Sequence, residues 1–168
     1  MTEKSGWQGR FFEDFEVGDV YKHPIGRTIT ETDNIWFTLL TANPNQLHFN
    51  REYGKRTEFG ACLVDSTLTL ALVTGLSVQD VSMNVVANLG WDEVRLTAPV
   101  FAGDTIFAVS EVIHTRSSKS RPHAGIVTVH TRGVNQDGKV VIRFNRTVMV
   151  YKRGHAPELF VFPDIEDA

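Results

Sequence analysis

The chain has 168 residues, enough for one domain with a single hydrophobic core. Hydrophobic residues make up 42% and charged residues 22%, a balance that is typical of a soluble globular protein and argues against disorder. A net charge of −3 excludes a protein that binds nucleic acid mainly by neutralising phosphates. No apolar run approaches the roughly 18 residues that cross a membrane, so we expect no membrane partner.

The ends of the chain, its single cysteine and its histidines indicate the cellular location, the limits of the domain and the cofactors to expect. The N-terminus is polar and lacks the apolar stretch of a secretory signal, and Cys62 has no second cysteine to pair with. Both observations favour a cytoplasmic protein. Residues 1–10 and 154–168 read as tails, which leaves a single domain over residues 11–153. The six histidines show no metal-ligand spacing, so we predict no metal and no separate cofactor.

The first half of the domain reads as helical. Thr30 and Asp33 have the spacing of a capping box, and apolar residues at helical spacing follow over residues 35–40. Pro44 ends this first predicted helix, and a short turn of helix is predicted at Arg51–Arg56.

A central helix is predicted over Leu63–Leu76. This segment is apolar nearly all round, which is typical of a helix that is buried on every side.

The second half reads as antiparallel strands. Alternating or β-branched runs predict strands at Thr105–His114, Gly125–Val134 and Lys139–Tyr151, with a further strand entering through Arg95–Val100. Asp137-Gly138 is a strong hairpin signal between the last two. An all-round apolar helix needs an element that covers it, and a curved antiparallel sheet is the one available. We therefore predict an α+β fold with a sheet wrapped around the central helix.

The segment that indicates chemistry is the loop Thr41–Asn50, which carries four amide side chains and one histidine. Polar groups concentrated in a loop beside an apolar helix suggest a functional site. The same residues are also common in ordinary turns, and an isolated histidine is often structural.

A resemblance to a known family extends this interpretation. The motif Asn43-Pro44-Asn45-Gln46-Leu47-His48, followed by Phe59 and the apolar helix, resembles the signature of the MaoC-like dehydratases. These proteins form the (R)-specific enoyl-CoA hydratase branch of the hot-dog fold. The turn Pro99–Thr105 and the hairpin Asn135–Gly138 are similar to further motifs of that family. The resemblance spans about residues 11–151 and implies a hot-dog fold and a hydro-lyase that acts on acyl-CoA.

The loop departs from the family signature at one important position. Asn43 stands where the family has its catalytic aspartate, whereas the amide at Asn45 and the histidine at His48 are kept. The resemblance implies that His48 is the acid/base, since histidine titrates near neutral pH and an amide cannot act as a base. Asn43 is then expected to orient the water or to donate to a substrate group, and Asn45 to bind substrate.

The central helix departs as well. Asp65-Ser66 stands where the family has a His-Gly pair, and Thr74 where it has a small hydroxyl residue that holds its aspartate. Asp65 is a candidate to replace the missing carboxylate, although an aspartate here also reads as a helix N-cap. The N–H of Ser66 is expected to stabilise the thioester oxyanion, because a backbone donor does not depend on the side chain. Thr74 is expected to lie behind Asn43.

Cations elsewhere are candidates for binding the ends of the substrate. The branch of the family that acts on branched dicarboxylic acyl-CoAs such as mesaconyl-CoA looks similar, and Arg56 could bind a second carboxylate. A cluster of Arg116, Lys119 and Arg121 could bind the phosphates of coenzyme A, although a solvated hairpin tip is the simpler interpretation.

Two other functions stay open, a hot-dog acyl-CoA thioesterase and a non-catalytic acyl-CoA binder. A curved sheet around one helix leaves an edge strand open, so we predict at least a homodimer.

Overall fold

Four long antiparallel strands dominate the computed structural model, which describes residues 6–158. They are β3 (Val85–Leu96), β4 (Thr105–Ser117), β5 (Ala124–Val134) and β6 (Val140–Tyr151). Two short strands, β1 (Val20–Lys22) and β2 (Arg27–Thr28), both pair with β4. The sheet order is β1-β4-β5-β6-β3, which makes β3 an edge strand. The prediction of an antiparallel sheet drawn from the second half of the chain is confirmed.

Three α-helices lie before the long strands: α1 (Glu31–Leu40), α2 (Arg51–Gly54) and α3 (Ser66–Leu76). Single 3₁₀ turns occur at Phe12–Asp14 and Gln46–His48, and a π-helical turn at Val78–Ser82 follows α3. The predicted capping box of α1 is confirmed, since the Thr30 hydroxyl accepts the Asp33 N–H and the Asp33 carboxylate accepts the Thr30 N–H.

The central helix packs against the concave face of the sheet but begins three residues later than predicted. Leu63 instead forms a β-bridge with Phe101, and Asp65 caps the helix by accepting the N–H groups of Thr67 and Leu68. Val73 is fully buried against the sheet at Gly133, where a Cβ would lie only 2.5 Å from Val73 Cγ2. Glycine at this position therefore allows the close approach of helix and sheet.

The prediction that this helix is buried on every side is wrong for the single chain. Thr67, Ala71 and Gly75 are exposed along one stripe of α3, and Ser66 is exposed in its first turn. The apolar face of α1 is also uncovered, because Leu39 and Leu40 are 72% and 78% exposed. Uncovered apolar surface of this kind is typical of an interaction site.

The N-terminal segment is held more closely than the predicted tail over residues 1–10 implies. Trp7 Nε1 donates to the Gln79 carbonyl, and Arg10 Nη1 pairs with Asp80 Oδ1 at 2.6 Å. The folded unit therefore begins before residue 11. Residues 1–5 and 159–168 of the two predicted tails lie outside the described part of the chain.

A buried polar network lies beneath this segment. His23 is 4% exposed, and its Nδ1 lies 2.8 Å from Asp80 Oδ2 while its Nε2 lies 3.0 Å from Ser110 Oγ. Ser110 Oγ lies a further 2.9 Å from Thr131 Oγ1. The network joins the loop after β1, the π-helical turn and two strands through satisfied hydrogen bonds.

Candidate active site

His48 lies at the end of the 3₁₀ turn, where Asn45 caps the turn by accepting the Leu47 N–H. Its Nδ1 lies 3.0 Å from the Leu63 carbonyl oxygen. Because a carbonyl oxygen only accepts, Nδ1 carries the proton of this hydrogen bond. In the neutral ring the lone pair is therefore on Nε2, which is the atom that can act as a base.

Asn34 joins the three segments that form the site. Its Nδ2 donates to the carbonyl oxygens of His48 and Leu63, and its Oδ1 accepts the Asp65 N–H at 2.8 Å. Asn34 was not predicted from the sequence, because nothing local shows that its side chain bonds to residues 14 to 31 positions away. The sequence feature that could have indicated it is the spacing of Asn34 and Thr38, four residues apart on one helix face. Both residues are buried in the structure.

Asp65 supplies the carboxylate that the loop lacks. Its Oδ1 accepts the N–H and the hydroxyl of Thr67, whereas its Oδ2 accepts Asn43 Nδ2 at 2.6 Å. The same Oδ2 lies 3.9 Å from His48 Nε2. The helix cap and the catalytic carboxylate were considered as alternatives for Asp65, and the geometry allows both at once, one on each oxygen.

The environment of Asp65 keeps it ionised. Burial, with only 3% of the residue exposed, opposes its negative charge. Hydrogen bonds from Thr67 and Asn43 and the nearby His48 outweigh burial and hold the pKa of Asp65 below its usual value. A carboxylate is therefore present beside the histidine at neutral pH.

The gap between His48 and Asp65 suits a water molecule. At 3.9 Å the two acceptor atoms are too far apart for a direct hydrogen bond. Both can lie within about 2.8 Å of one water oxygen, so that the water donates one hydrogen to each. Such a water would have its remaining lone pairs free for attack on an electrophile.

Ser66 offers an available backbone N–H at the start of α3. It is the first residue of α3, and within residues 6–158 its N–H makes no hydrogen bond. The N–H groups of the next two residues are already bonded to Asp65. An unbonded N–H at a helix N-terminus is suited to bind an oxyanion.

A cleft of about 540 Å³, a size typical of small-molecule sites, gives access to His48 and Ser66, whereas Asp65 lies behind its lining. It is lined among others by Asn45, His48, Phe59, Ser66, Thr69 and Leu96. Asn43 lines a neighbouring surface cleft with Ile35 and Pro44. The predicted common pocket is therefore found for His48 and Ser66, whereas Asn43 reaches the site only through its bond to Asp65.

That bond changes the expected role of Asn43. Its Oδ1 accepts the Asn45 N–H and its Nδ2 donates to Asp65. The suggestion that the amide of Asn43 donates to a substrate carboxylate is thus not supported. Asn43 instead contacts the carboxylate of Asp65, where it is placed to orient that group.

A second cavity lies on the other side of His48. Arg51 and Lys55 line it, but Arg51 pairs with Glu31, and Lys55 Nζ pairs with Glu52 at 2.7 Å. Both cations are already neutralised by carboxylates. Arg56, the predicted receptor for a second carboxylate, is exposed and lines neither the cleft nor this cavity.

Two predicted placements are not found within one chain. Thr74 lies eight residues after Ser66, about 12 Å along α3, where its hydroxyl accepts Trp91 Nε1. It therefore does not lie behind Asn43 of the same chain. Arg116 lies at the far end of β4, and Lys119 and Arg121 follow that strand, whose 13 residues span about 40 Å from the end nearest the cleft. This placement does not support phosphate binding for the same chain's cleft.

No helix within residues 6–158 combines the length and apolarity needed to span a bilayer. In the same part of the chain, no three His, Cys, Asp or Glu side chains form a group that could hold a metal ion.

Comparison with known proteins places this geometry in a family. Residues 2–158 match the family model described as mesaconyl-CoA hydratase. The chain is 39% identical to mesaconyl-CoA hydratase of Cereibacter sphaeroides over 88% of its length, covering 43% of that protein. It is 39% identical to β-methylmalyl-CoA dehydratase of Chloroflexus aurantiacus over 95% of its length, covering 46% of that protein. The chain thus spans less than half the length of these relatives.

Solved structures agree with the predicted hot-dog fold. A MaoC domain protein from Chloroflexus aurantiacus has a TM-score of 0.85 at 38% identity, over 99% of this chain and 48% of that one. A mycobacterial protein described as a double hot-dog fold has a TM-score of 0.80 at 20% identity, over 90% of this chain and 47% of that one. The sheet wrapped around α3 is this fold, and its prediction is confirmed. On the family match and these similarities, the chain belongs to the mesaconyl-CoA hydratase family of MaoC-like proteins.

Proposed function

We propose that the protein is a hydro-lyase that adds water to a 2-enoyl-CoA thioester or removes it from the 3-hydroxyacyl-CoA. The observation that carries the proposal is the pair of acceptors, His48 Nε2 and Asp65 Oδ2, held 3.9 Å apart beside the unbonded N–H of Ser66. Water activation and oxyanion stabilisation are the two requirements of this reaction, and the cleft offers a group for each.

In the proposed reaction the pair of His48 and Asp65 first accepts and then returns a proton, while the Ser66 N–H binds the thioester oxygen. The water held by His48 and Asp65 attacks C3 of the enoyl thioester and loses a proton to this pair. The electrons of the C2–C3 double bond move to the thioester oxygen, where the Ser66 N–H stabilises the negative charge. The enolate collapses as C2 takes a proton from the same pair, which regenerates it. Dehydration follows the same path in reverse.

The substrate class is the finer part of the proposal. Relatives of the chain are named mesaconyl-CoA hydratase and β-methylmalyl-CoA dehydratase. Their substrates carry a second carboxylate on a branched acyl chain. We propose a dicarboxylic enoyl-CoA of this kind for this protein as well, with the coenzyme A entering only as part of the substrate.

We also propose that two copies of the chain pair. The exposed stripe of α3, the uncovered face of α1 and the edge strand β3 leave an extended surface without a cover. The longer relatives have room for a second unit in one polypeptide, and a homodimer would supply it here from a second chain. Pairing would also allow Thr74 of one copy to approach Asn43 of the other. A cytoplasmic location stays part of the proposal, because an unpaired Cys62 fits a reducing compartment.

A panel of enoyl-CoA thioesters tests the proposal. Incubation with mesaconyl-CoA and with crotonyl-CoA should add the mass of one water to the product and remove the absorbance of the conjugated thioester. Release of free thiol without loss of the double bond would instead identify a thioesterase. Binding without either change would identify a non-catalytic acyl-CoA binder.

A further inference from the structure

A buried guanidinium lies at the opposite end of the central helix from His48. Arg146, on β6, is 5% exposed and faces the helix side of the sheet. Its Nε donates to Asn88 Oδ1 at 2.7 Å, and its Nη1 donates to the hydroxyls of Ser77 and Ser82 at 3.3 and 3.2 Å. Every one of these partners is neutral.

The charge of this guanidinium has no carboxylate to balance it. Within residues 6–158 no Asp or Glu oxygen lies within 4.0 Å of Arg146. Burial of a charge costs several kcal/mol unless an opposite charge compensates it, and burial lowers the pKa of this guanidinium. The C-terminal end of α3 offers only about half a negative charge. The site is therefore prepared for an anion.

One edge of the guanidinium is available to such an anion. Arg146 Nη2 makes no hydrogen bond within the described residues, and it is not among their buried unbonded atoms. The ring of Trp91, itself 43% exposed, lies with its centroid 6.0 Å from the guanidinium carbon. The three neutral partners thus fix the orientation of the guanidinium, while its Nη2 stays accessible beside the edge strand β3.

The cleft of the same chain is too distant to supply the anion. The 11 residues of α3 separate Ser66 from the Arg146 partner Ser77 by about 16 Å. In a short dicarboxylic acyl chain the second carboxylate lies only about 5 Å from the thioester carbon. Arg146 therefore cannot serve its own chain's cleft.

Antiparallel pairing of two β3 edges would shorten this distance, because Arg146 lies beside Trp91 in the middle of β3 and its guanidinium extends towards Asn88. The guanidinium bonds to Asn88, the fourth residue of β3, and to Ser82 in the π-helical turn before this strand, whereas Leu96, at the end of β3, lines the cleft. In a two-fold pair, the beginning of one edge strand lies beside the end of the other, about 4.8 Å away.

We propose that Arg146 of the second copy binds the distal carboxylate of the acyl chain whose thioester lies at Ser66 of the first copy. The inference rests on the proposed function and deepens it, because it assigns the residue that selects a dicarboxylic substrate. Ser77, Ser82 and Asn88 act as positioning residues that hold the guanidinium.

The first test compares Arg146→Gln with Arg146→Lys on two substrates. Loss of a buried charge pair should lower kcat/KM for mesaconyl-CoA about 100-fold in Arg146→Gln. It should leave crotonyl-CoA, which has no second carboxylate, within about threefold. Arg146→Lys should fall between wild type and Arg146→Gln on mesaconyl-CoA, since it keeps the charge but loses the fork. An equal loss on both substrates would show that Arg146 only supports the fold, and the proposal would be overturned.

The second test asks whether Arg146 acts across the pair. His48→Ala and Arg146→Gln chains are each expected to be nearly inactive on mesaconyl-CoA. When they are unfolded together and refolded as a mixture, half of the pairs are mixed and each mixed pair has one intact site. Activity should therefore recover to about a quarter of wild type. No recovery, with mixed pairs shown to form by native mass spectrometry, would contradict the arrangement.

A binding measurement on the wild-type chain separates this inference from the proposed function. Succinyl-CoA and butyryl-CoA have no double bond to hydrate and differ by one carboxylate. Calorimetry should show succinyl-CoA binding at least about tenfold more tightly, whether or not the protein hydrates any thioester. Equal affinities would overturn the role of Arg146 even in an active hydratase. Inactivity on every enoyl-CoA together with the preference for succinyl-CoA would overturn the proposed function and support the anion site.

Discussion

The molecule contains two pairs of histidine and aspartate that differ in almost every physical respect. His23 and Asp80 lie 2.8 Å apart, and His23 also contacts Ser110 at 3.0 Å, which is the hydrogen-bonding order of a catalytic triad. His48 and Asp65 lie 3.9 Å apart without a direct hydrogen bond. Judged by contact geometry alone, the first pair would be the better catalytic candidate.

The accessibility of each pair to substrate, and whether its hydrogen-bonding groups are already occupied, lead to the opposite conclusion. Ser110 is fully buried, and its hydroxyl is shared between His23 and Thr131, so no substrate can reach it. His48 lines a cleft, and its Nε2 faces a carboxylate across a gap that one water can fill. The comparison indicates that a complete hydrogen-bond network holds the fold, whereas an incomplete one beside a cleft is available for chemistry.

Exchange of the two histidines for alanine should give the largest contrast. His48→Ala should lower the hydration rate by about 10²–10⁴, the usual contribution of an acid/base group, with little change in stability. His23→Ala should leave the rate per folded molecule unchanged but lower the free energy of unfolding by about 1–3 kcal/mol, because Asp80 and Ser110 each lose one hydrogen-bond partner and keep only Arg10 and Thr131. Initial rates and urea denaturation of the same preparations measure both effects. Near-full turnover by His48→Ala would refute the proposed mechanism.

The backbone donor at the start of α3 gives the next largest effect. Ser66→Pro removes the N–H, and proline is tolerated at the first position of a helix. Ser66→Gly keeps the N–H and removes only the side chain. We expect Ser66→Pro to lower kcat by about 10²–10³ and Ser66→Gly by less than about threefold. Circular dichroism confirms that both variants keep the helix, and equal activities would exclude the N–H from the reaction.

Asn43→Asp tests the positioning role of the amide. The substitution places a second carboxylate oxygen near Asp65, where the Asn43 amide nitrogen now lies 2.6 Å from Oδ2. Because two adjacent carboxylates cannot both ionise easily, the pair should hold a proton and the pKa of one member should rise. We expect about a tenfold loss on mesaconyl-CoA and on crotonyl-CoA alike, with the acidic limb of the pH–rate profile moved to higher pH.

Asn43→Ala provides the matched control for this variant. It removes the hydrogen bond to Asp65 without adding a charge, so it should shift the acidic limb in the same direction but by less. A rate increase on crotonyl-CoA in Asn43→Asp would show instead that the asparagine replaces a working aspartate at a cost.

The sequence was sufficient to predict the sheet, the central helix and the two residues His48 and Ser66 that share the cleft. The sheet and the central helix follow from local patterns, namely alternation in strands and an apolar run, whereas His48 and Ser66 were identified from the resemblance to the MaoC-like dehydratases. The start of α3 was placed too early because Leu63 is apolar in a helix and in a β-bridge alike, and only its pairing with Phe101 distinguishes the two.

The parts that sequence could not supply depend on contacts between distant segments. Asn34 clamps His48, Leu63 and Asp65 through three hydrogen bonds across up to 31 residues. The spacing of residues cannot show whether Asp65 caps the helix or faces His48. In the structure Oδ1 caps the helix and Oδ2 faces the histidine. The uncovered apolar face of α1 likewise follows from which side of the helix packs inward, and that is decided by Asn34 and Thr38.

The smallest effect on the rate is expected at the buried pair of His23 and Asp80, where Asp80→Asn should change kcat/KM by less than about twofold.

The effect of Asp80→Asn on stability should depend on pH. Burial opposes the charge of Asp80, but hydrogen bonds from His23 and Arg10 outweigh it and lower its pKa below the usual value. A carboxyl with a lowered folded-state pKa stabilises the protein above its unfolded-state pKa of about 3.9, and this contribution is lost as pH falls through the folded-state value. The difference in unfolding free energy between wild type and Asp80→Asn should therefore be largest near neutral pH, at about 1–3 kcal/mol, and should shrink below about pH 4. Urea denaturation across this range measures it, and a difference that grows as the pH falls would contradict the assignment of Asp80 to the fold.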